Sequence, residues 1–338
     1  MSERLTYVSG KWVTESEAKI HIYDSHFMFG TAVFEMARTF NHQYFLLDEH
    51  IDRLFRSMKY VQIPIDKTKE EIKELCEKAI EINKEHFSSY RHNPESHSER
   101  WRFDVAGRFH EEEVRLMINV SAGPLGIYRE VFDLDENEDW NKPTWIINAW
   151  PLSKTAKTLT HLYDTGVNAV VTSQGQIPSR LLENKVKSRS RLHYHMANLE
   201  AAKHGKDAHA LLLDDDGFVT EGTGANFLLV KNGKLIVPEL RNMLRGSSMM
   251  YIIENIAPKL KIPVVVKNFE PYDVLEADEA MFTGTFVNIL PVNRLNGQYL
   301  NDKVQKNPIG WVTESIMDRW SHEVRCDVLS QVKHWGSK

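Results

Sequence analysis

Basic side chains recur at every second position in one short stretch: Lys185, Lys187, Arg189 and Arg191, continued by His193 and His195. In an extended chain this spacing puts all six on one face. Such runs are commonly a solvated face. This one leads directly into a helical stripe of Leu192, Met196 and Leu199, so part of it is expected to approach a core. A lysine held against apolar surface has its ammonium form disfavoured and becomes a usable amine nucleophile. Four other stretches could do chemistry. In TEGTGAN (220–226) Glu221 is followed by Gly222 and Gly224, which permit close approach of a ligand to backbone; the alternative is a plain hairpin with an exposed glutamate. In LRGSSMM (244–250) Gly246, Ser247 and Ser248 stand at a helix start, offering N–H groups and hydroxyls to an anion; ordinary serine capping is the alternative. FTGTF (282–286) closes a strand with two threonines and a glycine, and Arg53, on a helix, reads alone as a surface arginine.

The elements that must position these residues follow from periodicity. YVSGKWV and the run from Ala32 to Leu47 read as hairpins turning at Ser9-Gly10 and Asn41-His42. Ile51, Leu54, Phe55 and Met58 share one face of a helix opening at Asp48, and a second helix is expected from Thr68 to about His86. Strands are expected at VRLMINV (114–120), TWIINAW, NAVVTS, HALLLD, FVTEG, FLLV, KLIVP, VVV and AMFTG. Helices are expected over Ser190–His204, SSMMYIIENIAPKL and IGWVTESIMDRWSHEV. The chain is therefore read as a domain over 1–150, a linker at 151–158 and a second domain over 159–338. Residues 88–112 lose periodicity and read as a solvated excursion. Their histidines, His92, His97 and His110, lack cysteine or carboxylate partners at ligand spacing, so no metal site is expected.

Composition narrows the classes. With 338 residues, 42% hydrophobic and 26% charged, the chain is long enough for about two domains with sizeable cores. The net charge of −5 disfavours a nucleic-acid binder, and no apolar stretch approaches the length of a membrane-spanning helix. Two cysteines, Cys76 and Cys326, without metal spacing, and an N-terminal stretch with no apolar core, lead to the expectation of a cytoplasmic protein.

Taken together, the chemical stretches resemble the fold-type IV pyridoxal-phosphate enzymes, the class IV aminotransferases. The resemblance spans about residues 22–297. It rests on FGTAVFEMAR (29–38) with EHIDRL (49–54), on the lysine block, and on DGFVTEGTGANF (216–227). It implies an α/β (α+β) fold, with a smaller N-terminal α/β domain and a larger C-terminal β-rich pseudo-barrel carrying helices. The cofactor implied is pyridoxal 5'-phosphate. Family members place the Schiff-base lysine about 13 residues before a Glu-Ala pair; Glu200-Ala201 marks Lys187, with Lys185 the rival. By the same resemblance Glu221 faces the pyridine nitrogen, and Arg53, Ser247, Ser248 and Thr285 hold the phosphate. Phe29, Phe34, Met36 and Arg38 fall in the strand lining the substrate side chain, and Arg115 matches a carboxylate-binding arginine. The sequence departs from the family where Ser190 and Arg191 replace an asparagine and a tyrosine, and where Met36 replaces a glycine. The implied activity is transfer of an amino group between an amino acid or amine and a 2-oxo acid, in a homodimer. A lyase on the same scaffold and a non-catalytic anion-binding module are the alternatives.

Overall fold

The computed structural model describes residues 3–87, 112–136, 139–286 and 288–337. They divide into two compact units. The first holds the chain up to Leu152 together with Val186–Ser190; the second holds Ser153–Lys185 and everything from Arg191 onward. The reading from sequence counted 159–338 as one domain, but Val186–Ser190 clusters with the first unit because its backbone pairs with a strand there. Residues 151–158, read as a linker, contain a strand end at Pro151 and one helical turn, Ser153–Ala156. The 88–112 excursion and its three histidines lie, but for Glu112, outside the described residues.

In the first unit, β1 (Leu5–Val8), β2 (Lys11–Thr14), β3 (Ala32–Phe40), β4 (Gln43–Tyr44), β5 (Val114–Ser121) and β6 (Thr144–Pro151) form one sheet. Its order is β2-β1-β6-β5-β3-β4, and every pairing is antiparallel. The turn between β3 and β4 uses Asn41 and His42 at φ 48° and 61°, the left-handed pair that a two-residue hairpin requires. Ser25–Phe29 is a short helix, α1, closed by Gly30 at φ 68°. Leu47–Tyr60 forms α2, with Asp48 and Glu49 in its first turn; Lys69–Glu81 forms α3, opened by a Thr68/Glu71 capping box. Alternation along β3, β5 and β6 decides the layers. Val33, Ala37, Leu116, Ile118, Trp145 and Ile147 pack against Ile51, Leu54 and Met58 of α2 and Ile72, Cys76 and Ala79 of α3. The opposite face of β5 and β6 stays half-buried, at Arg115, Met117 and Asn119 and at Ile146, Asn148 and Trp150.

The second unit is built on β7 (Val167–Val171), β8 (Ala208–Leu213), β9 (Val219–Gly222), β10 (Asn226–Lys231), β11 (Lys234–Val237), β12 (Val264–Val266), β13 (Glu279–Gly284), β14 (Asn288–Leu295) and β15 (Gln298–Tyr299). Six of them, β10-β13-β14-β7-β8-β9, return on themselves where Glu221 of β9 pairs with Asn226 of β10, closing a barrel. The β14 strand is absent from the sequence reading because Pro291 interrupts it. The strand tolerates this proline by pairing with β7 only from Val292 onward, across a register shift. Leu192–Ala201 forms α4, Ser247–Tyr251 forms α5 and Trp311–Val324 forms α6. On α4 the expected inward stripe is reversed. Ala197 and Ala201 pack on Val170, Ala210 and Leu212, whereas Leu192, Met196 and Leu199 are 74%, 45% and 51% exposed. Small alanines let the helix sit close to the strands, and that contact fixes its rotation.

Candidate active site

The alternating basic run is extended only as far as Ser190; Arg191 caps α4, so His193 and His195 leave the common face. Main-chain pairing fixes the lysine segment to β3. The Lys187 carbonyl accepts from Phe34 N–H at 2.9 Å, Arg189 N–H donates to Ala32 O at 2.8 Å, and Ser188 bridges Val33. Val186 plugs the core beneath. The Lys187 ammonium lies 4.9 Å from the centroid of the buried Phe34 ring. Lys185 instead reaches back to Glu183 at 2.9 Å, in a part-exposed ion pair. The two lysines thus differ: Lys187 lies over an aromatic ring and Lys185 is held by a carboxylate.

Arg53 is not a surface residue. It comes off α2, is 7% exposed, and grips Glu35 of β3 with Nε–Oε1 at 2.6 Å and Nη2–Oε2 at 2.7 Å. His50, one helical turn earlier, bonds the same carboxylate through Nδ1 at 2.7 Å. Burial would raise the Glu35 carboxyl, but the Arg53 charge and fork, with the His50 bond, hold it well below the usual range. Burial pulls His50 below its ordinary value against the opposing pull of Glu35, so it is the neutral imidazole that donates. Glu35 and His50 were missed in the sequence. The signal was available: Glu35 shares strand parity with the core residues Val33 and Ala37, and a carboxylate there requires a cation opposite.

On the other face of β3 lie Phe34, Met36 and Arg38, opposed across the ladder by Asn119, Met117 and Arg115. Phe29 does not belong to this row. It ends α1, is 65% exposed, and is separated from β3 by the Gly30 turn, so strand parity does not reach it. Arg38 is buried, stacked 3.8 Å over Phe40, with Nε on Thr39 O. Burial, reinforced by the charge of Arg189, draws the Arg115 guanidinium down to about 10.

In the second unit Glu221 is 4% exposed at the barrel seam. Its Oε1 accepts from Gln176 Nε2 at 2.8 Å, Leu244 N–H at 3.1 Å and Tyr194 Oη at 3.2 Å; its Oε2 accepts from Asn226 Nδ2 at 2.9 Å. Asn226 also donates to Leu244 O at 2.7 Å, tying the seam to the loop before α5. Gln176 and Tyr194 carry no local signal in the sequence, while Asn226 ends the TEGTGAN stretch. Arg191 stacks 4.7 Å from the Tyr194 ring centre and donates to Thr223 O. At α5, Gly246 is the cap residue in extended geometry with no side-chain cap bond, and the first N–H groups of a helix have no partner within it. A Cβ on Gly246 would stand 2.1 Å from Asn226 Oδ1, so only glycine fits between this helix start and the seam. Thr285 is half-buried in the turn after β13. A cavity of about 330 Å³ borders Gly222–Ala225, His209 and Phe282, but Glu221, Ser247 and Ser248 do not line it. Among the described residues no group of three or more His, Cys, Asp and Glu side chains could hold a metal ion.

One unit is thus a closed barrel with a fixed carboxylate at its seam, and the other is a sheet that holds a lysine by main-chain pairing. The family description "Amino-transferase class IV" matches residues 32–295. A protein of Methanocaldococcus jannaschii, provisionally assigned as a branched-chain-amino-acid aminotransferase, is 30% identical over 333 residues, 98% of each chain. Aminodeoxychorismate lyase of Bacillus subtilis is 26% identical, with 86% of each chain covered. The branched-chain amino acid aminotransferase of Escherichia coli superposes with a TM-score of 0.78 at 23% identity, over 95% of this chain and 94% of that one. The chain belongs to the class IV aminotransferases, with the fold-type IV architecture. It is a pyridoxal 5'-phosphate-dependent transaminase, moving an amino group between an amino acid or amine and a 2-oxo acid. The lyase alternative is the less supported one. Among the described residues no helix is long and apolar enough to cross a membrane.

Proposed function

We propose that Lys187 is the catalytic amine, that Glu221 faces the cofactor ring nitrogen, and that Arg53, Ser247, Ser248 and Thr285 receive the phosphate. The residues present fit that group: an uncapped helix start with two serines suits a phosphate, and a buried carboxylate suits a protonated ring nitrogen. When bound, pyridoxal phosphate supplies an electron sink for negative charge at the carbon that carries the amino group. Lys187, anchored through its backbone, keeps its long side chain for taking a proton from that carbon and returning it. Glu221, immobilised by four donors, holds a proton on the ring nitrogen without moving. Phe34, Met36, Arg38 and Arg115 would line the substrate side. The observation that carries the reading is the contrast between the lysines, Lys187 over the Phe34 ring and Lys185 in an ion pair with Glu183.

Borohydride reduction of the holoenzyme followed by peptide mapping should place the label on Lys187. Lys187→Ala should lose both label and turnover, and Lys185→Ala should keep both; a label on Lys185 sinks the assignment.

The same reading takes the protein as a cytoplasmic homodimer with an amino donor and a 2-oxo acid as partners. Two cysteines, Cys76 and Cys326, neither in a disulfide, and the outward apolar stripe on α4 support it. Light scattering should give twice the chain mass, and Leu192→Glu with Met196→Glu should halve it.

A further inference from the structure

In the second unit, β11 and β12 carry the sheet past the closed barrel, and one face of that extension is not used by the proposed site. Leu229 and Ile236 stand directly opposite each other on β10 and β11, and Val265 of β12 is level with Ile236. Two positions toward the β10–β11 turn, Lys231 faces Lys234. Two positions the other way, Lys267 follows Val265, its N–H still pairing with Val237 O at 3.0 Å. Strand alternation puts all of these side chains on one face, an apolar row with cations at both ends. Phe269, with Asp273 and Glu276 on and just after the short helix Pro271–Leu275, completes the walls of a cavity of about 290 Å³.

The charges around it are unevenly committed. Lys231 Nζ donates to the main-chain carbonyl of Glu276, which ties that residue to the turn end of the row. Asp273 Oδ2 accepts from Glu270 N–H at 2.9 Å in the capping box of its helix. Among the described residues, the side chains of Lys234, Lys267 and Glu276 make no hydrogen bond or ion pair. The floor is preformed: Phe269 is buried, its ring centre is 6.4 Å from that of Phe227, and its carbonyl accepts from Val219 N–H at 2.9 Å.

We infer that this groove binds a free α-amino acid with an apolar side chain, as a zwitterion. Such a molecule carries a carboxylate and an ammonium on one carbon and hydrocarbon beyond it. The turn end of the groove offers the matching pair, the Lys231 and Lys234 cations beside Glu276, and the apolar row of Leu229, Ile236 and Val265 lies next along the face. The carboxylate gains charge-assisted bonds from Lys234 and the ammonium from Glu276. Burial of the side chain on the row and the Phe269 floor adds the non-directional part of the affinity. A plain carboxylic acid leaves Glu276 beside a second negative group with no ammonium between them, and a plain amine meets the lysines without a carboxylate. Lys267, at the far end, covers the tail with its methylenes while its ammonium stays in water. Glu221, Ser247, Ser248 and Thr285 do not line this cavity, so the inference is independent of the assignment of the cofactor residues.

The test is photolabelling of the borohydride-reduced holoenzyme, in which the cofactor can no longer react with an amino acid. The probe p-azido-L-phenylalanine should label peptides that carry Leu229–Ile236 or Val265–Glu276. L-Phenylalanine should protect them about fivefold better than 3-phenylpropanoate, which lacks the ammonium, or phenethylamine, which lacks the carboxylate. Lys234→Ala and Glu276→Gln change exposed side chains, so both variants should fold, and each should cut the labelling about threefold. Absence of label from these peptides overturns the inference. So does equal protection by 3-phenylpropanoate, or labelling unchanged in both variants. The outcome is read at these peptides whichever lysine holds the reduced cofactor, so a failure here leaves the Lys187 assignment standing.

Discussion

Replacing Glu35 by Gln removes one negative charge from a site with almost no water. Glu35 is 0% exposed, His50 1% and Arg53 7%, and three contacts of 2.6–2.7 Å bind them. Glutamine keeps the shape but leaves the Arg53 guanidinium buried without its counter-ion. Breaking a buried pair in this way costs about 3–5 kcal/mol. With a urea m-value of about 3 kcal/mol/M, the midpoint should fall by about 1–2 M. The assay is urea unfolding of the cofactor-free protein at pH 7.5, where His50 is neutral in both forms, with hydrogen exchange over Leu47–Tyr60 to confirm that the first unit is the part weakened. The double variant Glu35→Leu/Arg53→Met removes both charges and should be less destabilised than Glu35→Gln, because no unpaired charge remains. A Glu35→Gln midpoint within about 0.3 M of the native one refutes the reasoning. So does a double variant that is less stable than Glu35→Gln.

Glu221→Gln should keep the seam, since glutamine can accept from Gln176 and Leu244, but it removes the charge; kcat should drop by about 10²–10³ with KM little moved, read in steady state with a single donor. Gly246→Ala drives a methyl into Asn226 Oδ1, so Tm should fall with a loss of about 1–3 kcal/mol, and the cofactor should dissociate more readily in a fluorescence titration. The histidines His26, His50, His193 and His209 are all held below their ordinary value, in each case chiefly by burial. Their contribution to stability is full above about pH 6.5 and is lost as pH falls toward their lowered folded values, because the unfolded chain takes up the protons first. Chemical denaturation at pH 7.5 and 5.5 should show the lower stability at 5.5, and His50→Gln should flatten that slope.

Much of the fold was legible because it is written locally. Alternation in VRLMINV and TWIINAW gave both strands, and the same pattern separated the face packed on α2 and α3 from the half-buried one. Turn pairs such as Asn41-His42 marked the hairpins. What escaped was set by contacts distant in sequence. Pro291 hid β14, since its missing N–H disqualifies a central strand unless the neighbouring pairing starts beyond it. The stripe of Leu192, Met196 and Leu199 looked like a core face, but two alanines on the opposite side allow a closer approach to β8, and packing overrode hydrophobicity. Membership of Val186–Ser190 in the first unit depends on bridges to Ala32 and Val33, more than 150 positions away.

The candidate site divides in the same way. Lys187, Glu221, Ser247 and Ser248 are proposed from the family resemblance, because alone the Glu221 stretch reads equally as a plain hairpin and the two serines as ordinary helix caps. Arg53 in isolation read as a surface residue, and the error is instructive. A helix shows only its own pattern, and HIDRL gives no sign of what Arg53 faces. The sign lay in β3, where AVFEMAR puts Glu35 on the same side as Val33 and Ala37. An acidic residue inside a core parity is costly unless a cation meets it, so it demands a partner from whichever element covers that face. Only α2 offers a histidine and an arginine at i and i+3 to satisfy it. By the same logic Phe34, one residue away, is on the side where Lys187 and Arg189 gather. One strand thus carries on its two faces the ion pair that fixes a candidate phosphate ligand and the ring that supports a candidate catalytic amine, and Glu35→Gln should disturb the first while leaving the Lys187–Phe34 contact in place.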